Sequence, residues 1–423
     1  MRSLAPLAAL ALVFALVAPA GVGAAGAPTA SPATGSLQSD GATATTPPAQ
    51  VNGEVNASNQ TNVLVIPDGA VQRTAIDGAT LNLGPAAQFD GNVSAVEVET
   101  AAVVEYVRTA ETDSERSRRI IEASSTVETE IITLRDRQQE AIDAFNDGDI
   151  SPEAFVIKLA TISAEADALE RRIVRLTELS DEVDGFSLSR PAEIRYELRA
   201  FGGPVRERAV AAIRGTDEPA HFFVTTGTDG YELATVDDGV YHREAFRGVV
   251  RSGESTATMD GPRAINITRE NYPEIVRVAE TSVNFAGTTN IVTATAENRS
   301  LTAFVDSGSE RVFKSYQRFA LDQYRSEAIA SNTINGITVS VNRTYPGGPL
   351  RIGVADAESG EPIDLAITLS QGSSERTAVG RTGTDGTLWT ISPRGSYTVL
   401  AVGSETTAAY VETNATDAPG IDD

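Results

Sequence analysis

Across positions 96–184, mostly apolar seam positions recur in alternating steps of four and three. In the first half the series runs Ile120, Ser124, Val127, Ile131, Leu134, Gln138, Ala141, Phe145; in the second it runs Phe155, Leu159, Ile162, Ala166, Leu169, Ile173, Leu176. Such steps average 3.5 residues, the period of a narrow coiled-coil stripe. Between the halves the polarity breaks at Asn146-Asp147-Gly148-Asp149-Ile150-Ser151-Pro152. Gly148 suits the left-handed close of one helix. Ser151 suits the cap of the next, Pro152 its first turn, and Glu153 the positive end of its dipole. So short a connection predicts an antiparallel helical hairpin over 93–185. Its first helix is expected to start before Val103 and to overhang its partner. The Asp147-Gly148-Asp149 run also invites a calcium loop, but EF-hand spacing would put Phe145 and Ala154 at ligand positions, where neither can bind the ion.

After the hairpin the pattern shifts to mixed periods. Residues 186–333 read as an α+β domain, with helical spacing at 191–200, 204–214 and 273–283. Strand-like runs follow at 221–226, 231–236, 240–246, 291–296, 300–305 and 311–319, the first three joined by Asp229-Gly230 and Asp238-Gly239 turns. Residues 334–414 carry seven short strand patterns, at 337–341, 350–354, 365–369, 377–381, 387–391, 397–401 and 408–411, which predicts a β-sandwich with Trp389 packed inside it. Upstream, 61–92 reads as a short β segment, with strands at 62–67 and 80–83. Residues 26–60 form an Ala/Thr/Ser/Pro tether without the apolar density to fold, and 415–423 an acidic tail. Residues 1–25 have the shape of an export signal: Arg2, an apolar run over 7–18, Pro19, and small residues at 22–25. Cleavage there is expected; an uncleaved N-terminal membrane anchor is the alternative. The fold class is therefore multidomain α+β: hairpin, α+β domain and C-terminal sandwich.

Three stretches carry resemblances. Ala141–Phe155, as A-I-x-A-F-N-x-G-x-I-S-x-E-x-F, resembles secreted haloarchaeal proteins, a likeness that implies no activity. Val354–Ile363, Thr382–Gly386 and Pro393–Tyr397 resemble the transthyretin-like or carboxypeptidase-regulatory-like sandwich, an accessory module that brings no catalytic residues. Leu301–Asp306 followed by Arg311-Val312-Phe313 is faintly similar to small PepSY-type domains of exported proteins.

Charge narrows the setting. The chain has 58 acidic and 34 basic residues, a formal net charge of −24, and only two of the basic residues are lysine, Lys158 and Lys314. So acidic a surface repels itself unless salt screens it, which points to a halophile; an acidic secreted protein from a high-GC genome is the alternative. Phosphate binding needs a basic face. Arg118-Arg119 and Arg171-Arg172 sit among acidic neighbours and read as solvated helix faces, so nucleic acid is not an expected partner. Cysteine is absent, which excludes disulfides and thiolate chemistry. Seven N-x-S/T sequons, at Asn56, Asn59, Asn92, Asn266, Asn298, Asn342 and Asn414, fit an exported glycoprotein.

Candidate chemistry is sparse. His221 and His242 could meet across a meander and share a metal with Asp237 or Glu244, but they read better as strand histidines. Asp237-Asp238 and Asp422-Asp423 are pairs that any chain this acidic would hold. No G-x-S-x-G elbow, P-loop or G-x-G-x-x-G fingerprint occurs. No residue is assigned as catalytic, cofactor-binding or metal-ligating, and no cofactor is expected. The reading is a non-enzymatic secreted or cell-surface protein. It would act through an unidentified protein partner or through self-association of the hairpin, with a membrane involved only if the signal stays uncleaved. The alternatives are an accessory subunit of an exported enzyme such as a peptidase, and a carboxylate-based hydrolase in the α+β domain.

Overall fold

The structure is a computed structural model and describes residues 50–52, 62–66, 68–80, 82–251, 257–326, 328–371, 376–403 and 408–418. The expected signal segment, most of the tether, and the sequons at Asn56 and Asn59 lie outside them.

Three helices, not two, occupy the acidic stretch: α1 (Leu83–Arg108), α2 (Asp113–Asp147) and α3 (Pro152–Asp181). The expected overhang of the first helix is a separate helix. The break falls at Thr112, whose hydroxyl accepts from the Glu115 amide at 3.2 Å, while the Glu115 carboxylate accepts from the Glu111 amide at 3.3 Å. This is the reciprocal logic of a capping box. Of the expected strand at 80–83, Leu83 instead begins α1.

Between α2 and α3, Gly148 takes φ 84° and Ser151 accepts from the Ala154 amide at 3.1 Å. The turn is also clamped from outside. Arg73 of strand β2 (Arg73–Ala79) donates to the carbonyls of Phe145 and Ile150 at 2.8 and 3.0 Å and lies over the Phe145 ring. It thereby satisfies carbonyls that a helix end leaves open.

The seam residues Ile120, Val127, Leu134, Phe145, Phe155, Leu159, Leu169 and Ile173 are all buried. They are not confined to the helical hairpin, however. They share one core with α4 (Pro191–Arg199), α5 (Pro204–Arg214) and the sheet residues Phe222, Val224, Tyr231 and Leu233. Arg172, expected on a solvated face, is buried instead. It reaches across to α1, donating to Thr100 Oγ1 at 3.0 Å and pairing with Glu99 at 3.0 Å.

The sheet is eight-stranded and antiparallel, in the order β2-β3-β4-β5-β9-β8-β7-β6. Its members after β2 are β3 (Ala220–Gly227), β4 (Gly230–Asp237), β5 (Val240–Arg247), β6 (Glu280–Ala286), β7 (Thr289–Ala296), β8 (Arg299–Asp306) and β9 (Arg311–Ala320). The edge strand β2 thus lies between the two strands expected upstream, at 62–67 and 80–83. Residues 280–283, expected in a helix from Pro273, lie in β6. The helices there are α6 (Gly261–Asn271) and the single turn α7 (Pro273–Val276). Strands alternate their side chains, so the sheet has a core on each side. Helices α2–α5 cover one face; α6, α7 and the sandwich cover the other.

The C-terminal sandwich packs a five-stranded sheet, β1-β10-β11-β12-β15, on a four-stranded one, β14-β13-β16-β17. It begins with β10 (Ile329–Ile334), before the expected boundary at 334. The remaining strands are β11 (Ile337–Asn342), β12 (Pro349–Asp356), β13 (Ala366–Ser370), β14 (Thr377–Arg381), β15 (Thr387–Ile391), β16 (Ser396–Val402) and β17 (Ala408–Asn414). Its edge strand β1 (Gln50–Asn52) comes from the expected tether and pairs with β10.

The sandwich docks on the large sheet. The Tyr241 hydroxyl donates to the Gly347 carbonyl at 2.6 Å. Gly347 sits at φ 76°, and a Cβ there would come within 2.7 Å of the Phe223 ring, so only glycine fits. Trp389 is not inside the sandwich: it packs with Phe223, Tyr241 and Phe319 at this junction.

Candidate functional site

The histidine pair does not form. Phe222, Thr235 and His242 are successive partners across β3, β4 and β5 and so share a face; His221, next to Phe222, points to the other. Burial and Arg318 hold the His242 imidazole below its usual range. Asp237 instead forms an ion pair with Arg208, its Oδ1 lying 2.8 Å from Nε. Among the described residues no group of three or more His, Asp or Glu side chains is placed to hold a metal ion.

Glu244 is fully buried under the helices. Its Oε1 accepts from the backbone amides of Val205 and Arg206 at 2.6 and 3.0 Å, and Arg206 Nε approaches Oε2 at 3.2 Å. These amides open α5, so the carboxylate caps the helix and meets its dipole. Gly203 makes this possible: a Cβ there would fall 2.2 Å from the Glu244 carboxyl carbon. Around it, Arg206 donates to the Phe201 carbonyl and the Tyr231 hydroxyl. Lys314 donates to the carbonyls of Ala200 and Gly202, and Tyr316 to those of Arg199 and Gly202. Burial holds the Lys314 ammonium well below the usual lysine range, with Arg206 adding to the shift. Every one of these groups fixes the α4–α5 connection.

On the opposite face, the buried Glu232 accepts from the Ile66 amide and pairs with Arg243 at 3.2 Å. Arg243 donates to the Leu64 carbonyl at 2.6 Å, and Gln317 to that of Asn62 at 2.7 Å. Residues 62–66, part of the strand expected at 62–67, thus run over the sheet with the Ile66 amide and the Asn62 and Leu64 carbonyls satisfied by side chains, and Val63 makes a β-bridge. Burial pushes the Glu232 carboxyl up, against the pull of Arg243.

A cleft of about 600 Å³ does open on the helix side, between α2, α4 and the end of the sheet. Ile131 and Ile132 of α2, Ile194 of α4, Phe201 and Phe246 give it apolar walls. Glu197 of α4 is the one deeply set carboxylate. It pairs with Arg135 and with Arg251 at 2.9 Å, and accepts from Thr289 Oγ1 at 3.0 Å. Burial alone would raise this carboxyl, but Arg251 and Arg135 outweigh it and hold it below the usual range. At the rim, Arg190 pairs with Glu128 at 3.3 Å and Glu193 at 3.0 Å. Burial raises Asp229, and Asp143 adds to the effect. The cleft can take a small ligand, but its deepest carboxylate is ionised and occupied by two guanidiniums. The sequence reading named neither Glu197 nor Arg251, because neither lies in a motif.

The remaining sequons fall in varied settings. Asn266 on α6 and Asn414 at the end of β17 are exposed; Asn92 on α1 and Asn298 at the β7–β8 turn are half-buried. Asn342 ends β11 and donates its amide to the Ser326 carbonyl at 3.2 Å. Among the described residues no helix is long and apolar enough to cross a membrane.

Residues 1–218 match the family model described as a domain of unknown function, DUF7096. The chain belongs to that family. Residues 222–325 match a second model, a family of unknown function, DUF7094, and residues 328–409 match an archaeal fibronectin-III type-like domain. Together they mark an archaeal family with a C-terminal β-sandwich. The sandwich thus takes the fibronectin description rather than the transthyretin-like one, and the PepSY-like stretch falls within the second model. The boundary between the first two models lies between α5 and β3, yet β2 pairs with β3 along its whole length. The two therefore share one sheet. No curated protein and no solved structure matches the chain.

Proposed function

We propose that the chain is a non-enzymatic, exported or cell-surface protein of a halophilic archaeon, working through contact with another macromolecule. The observation that supports this most is the use made of its buried ionisable groups. Glu244, Glu232, Arg243, Arg206 and Lys314 are each engaged with backbone amides or carbonyls at junctions between elements. Groups so committed hold a platform together rather than turn over a substrate. The fibronectin-type sandwich fits an interaction role, and the net charge of −24 and the sequons fit a salt-rich exterior.

The apolar-walled cleft at Glu197 favours a second reading, a carboxylate-based hydrolase. The two are separated by one assay on the full chain in high salt with ester, peptide and glycoside substrates. The non-enzymatic reading expects no turnover; turnover that disappears in Glu197→Gln would overturn it. Mass spectrometry of the protein from native envelopes tests the setting. It should find cleavage near residue 25 and glycans on exposed sequons such as Asn266. A cytoplasmic, unmodified chain would reject export.

A further inference from the structure

A second groove, of about 420 Å³, lies where the chain passes from the large sheet into the sandwich. Residues 321–326 form one side of it, and the outer faces of β12 and β15 the other. Two aromatic side chains, Tyr324 and Trp389, line it. Trp389, the single tryptophan of the chain, is half-buried on the groove wall. Tyr324 meets it nearly at a right angle, with ring centres 6.3 Å apart and planes inclined by 77°. Two rings so placed make a corner, with one surface beneath a ligand and one beside it. The Tyr324 hydroxyl is fixed by Thr344 Oγ1 at 2.9 Å, which holds that corner in place.

Charge is the second feature. Asp322, Arg325, Arg351 and Asp385 are exposed and line the same groove. Elsewhere on the surface arginine meets carboxylate, as Arg381 meets Asp364 at 2.9 Å. Here the hydrogen bonds go to neutral partners. Arg325 donates to the carbonyls of Asp322 and Tyr324, Arg351 donates to Thr387 Oγ1, and Asp385 accepts from the Thr387 amide. Two acceptor groups and two donor groups therefore converge on an aromatic corner with hydrogen-bonding capacity to spare.

We propose that this groove binds a pyranose residue of a glycan. A sugar ring has an apolar C–H face that stacks on an indole. Its hydroxyls each donate and accept, so a site for it needs carboxylates and guanidiniums together. Anionic ligands fit less well. The groove adds no net positive charge, and a chain of net charge −24 repels phosphate. The site stands whether or not the cleft at Glu197 has any activity.

The single tryptophan makes the groove its own reporter. The full chain in high salt is titrated with maltotriose, cellotriose, mannotriose and chitotriose while tryptophan emission is followed. At least one should shift the emission saturably. Asp385→Asn and Arg351→Gln should each weaken that binding roughly tenfold, the loss of one charge-assisted hydrogen bond. Both residues are exposed, so circular dichroism and the thermal midpoint should not move. Absence of a saturable shift with all four trisaccharides overturns the proposal. So does binding that survives both substitutions unchanged.

Discussion

On the helix-covered face of the large sheet the buried carboxylate is Glu244; on the opposite face it is Glu232. Both are strand residues, and both accept backbone amides from segments outside the sheet. Glu244 takes two amides at the start of α5 and faces the buried Arg206 guanidinium. Its surroundings are the core shared with the helices, where rings pack in series from Phe145 through Phe155 and Tyr231 to Phe246. Glu232 takes one amide, that of Ile66, and with Arg243, which donates to the Leu64 carbonyl, holds a five-residue segment against the sheet. One network sits inside a layer that is already packed. The other holds its segment together with the buried side chains of Val63, Leu64 and Ile66. A buried charge that loses its partners is costly in either place, but the consequence should be global in the first and local in the second.

The largest effect is expected from Glu244→Ala. It strands the Arg206 guanidinium and leaves two helix-opening amides without an acceptor, a loss of about 3–5 kcal/mol. Urea denaturation in high salt should show it as a lower midpoint for the whole α+β part. A shift no larger than that of a surface substitution would mean that water replaces the carboxylate. Glu232→Gln keeps an acceptor for Ile66 but weakens the contact with Arg243, a loss of about 1–3 kcal/mol. Hydrogen exchange and proteolysis should speed up at residues 62–66 first. If the helix layer loosens equally, the two faces are not independent.

Glu244 was named only as a possible metal ligand and Glu232 not at all, because the backbone amides that each accepts lie 38 or more residues away, and 166 in the case of Ile66. What could be read was periodic or local. The four-and-three steps named the buried seam, and Gly148 and Ser151 named the turn. The strands of the meander and sandwich followed from alternation and turn residues. Three further boundaries carry local signals of their own. Thr112-Asp113-Ser114-Glu115 announces a helix start inside what read as one long helix. Asp260-Gly261-Pro262 announces α6, with the Asp260 carboxylate accepting from the Arg263 amide at 2.8 Å. Asn335-Gly336 announces the hairpin that brings β10 into the sandwich. The burial of Arg172 and the position of Trp389 depend on which layers pack together, and no local pattern carries that.

Glu197 gives a test of intermediate size, because its carboxylate bridges α4 to the sheet end through Arg251. Its folded-state carboxyl titrates below the ordinary value of 4.5. The native state therefore binds fewer protons than the unfolded chain as pH falls past that value. The stabilisation is present above 4.5 and is lost as pH drops through the folded-state value. Thermal midpoints of the wild type should fall over that acid window, and those of Glu197→Gln should fall less. Parallel curves for the two proteins would show that the bridge does not contribute.

The smallest effect should come from Thr112→Ala. Thr112 and Glu244 do the same job, since each accepts an amide at the start of a helix, α2 and α5 respectively. They differ in setting: Thr112 is exposed and neutral, whereas Glu244 is buried and faces a guanidinium. Water can replace the lost threonine hydroxyl, so removing it should cost about 1 kcal/mol. Hydrogen exchange should show fraying confined to the first turn of α2, and Thr112→Ser should restore protection. If Thr112→Ala proved as damaging as Glu244→Ala, burial would not be what separates the two caps. The α1–α2 junction would then be holding the helix layer in place.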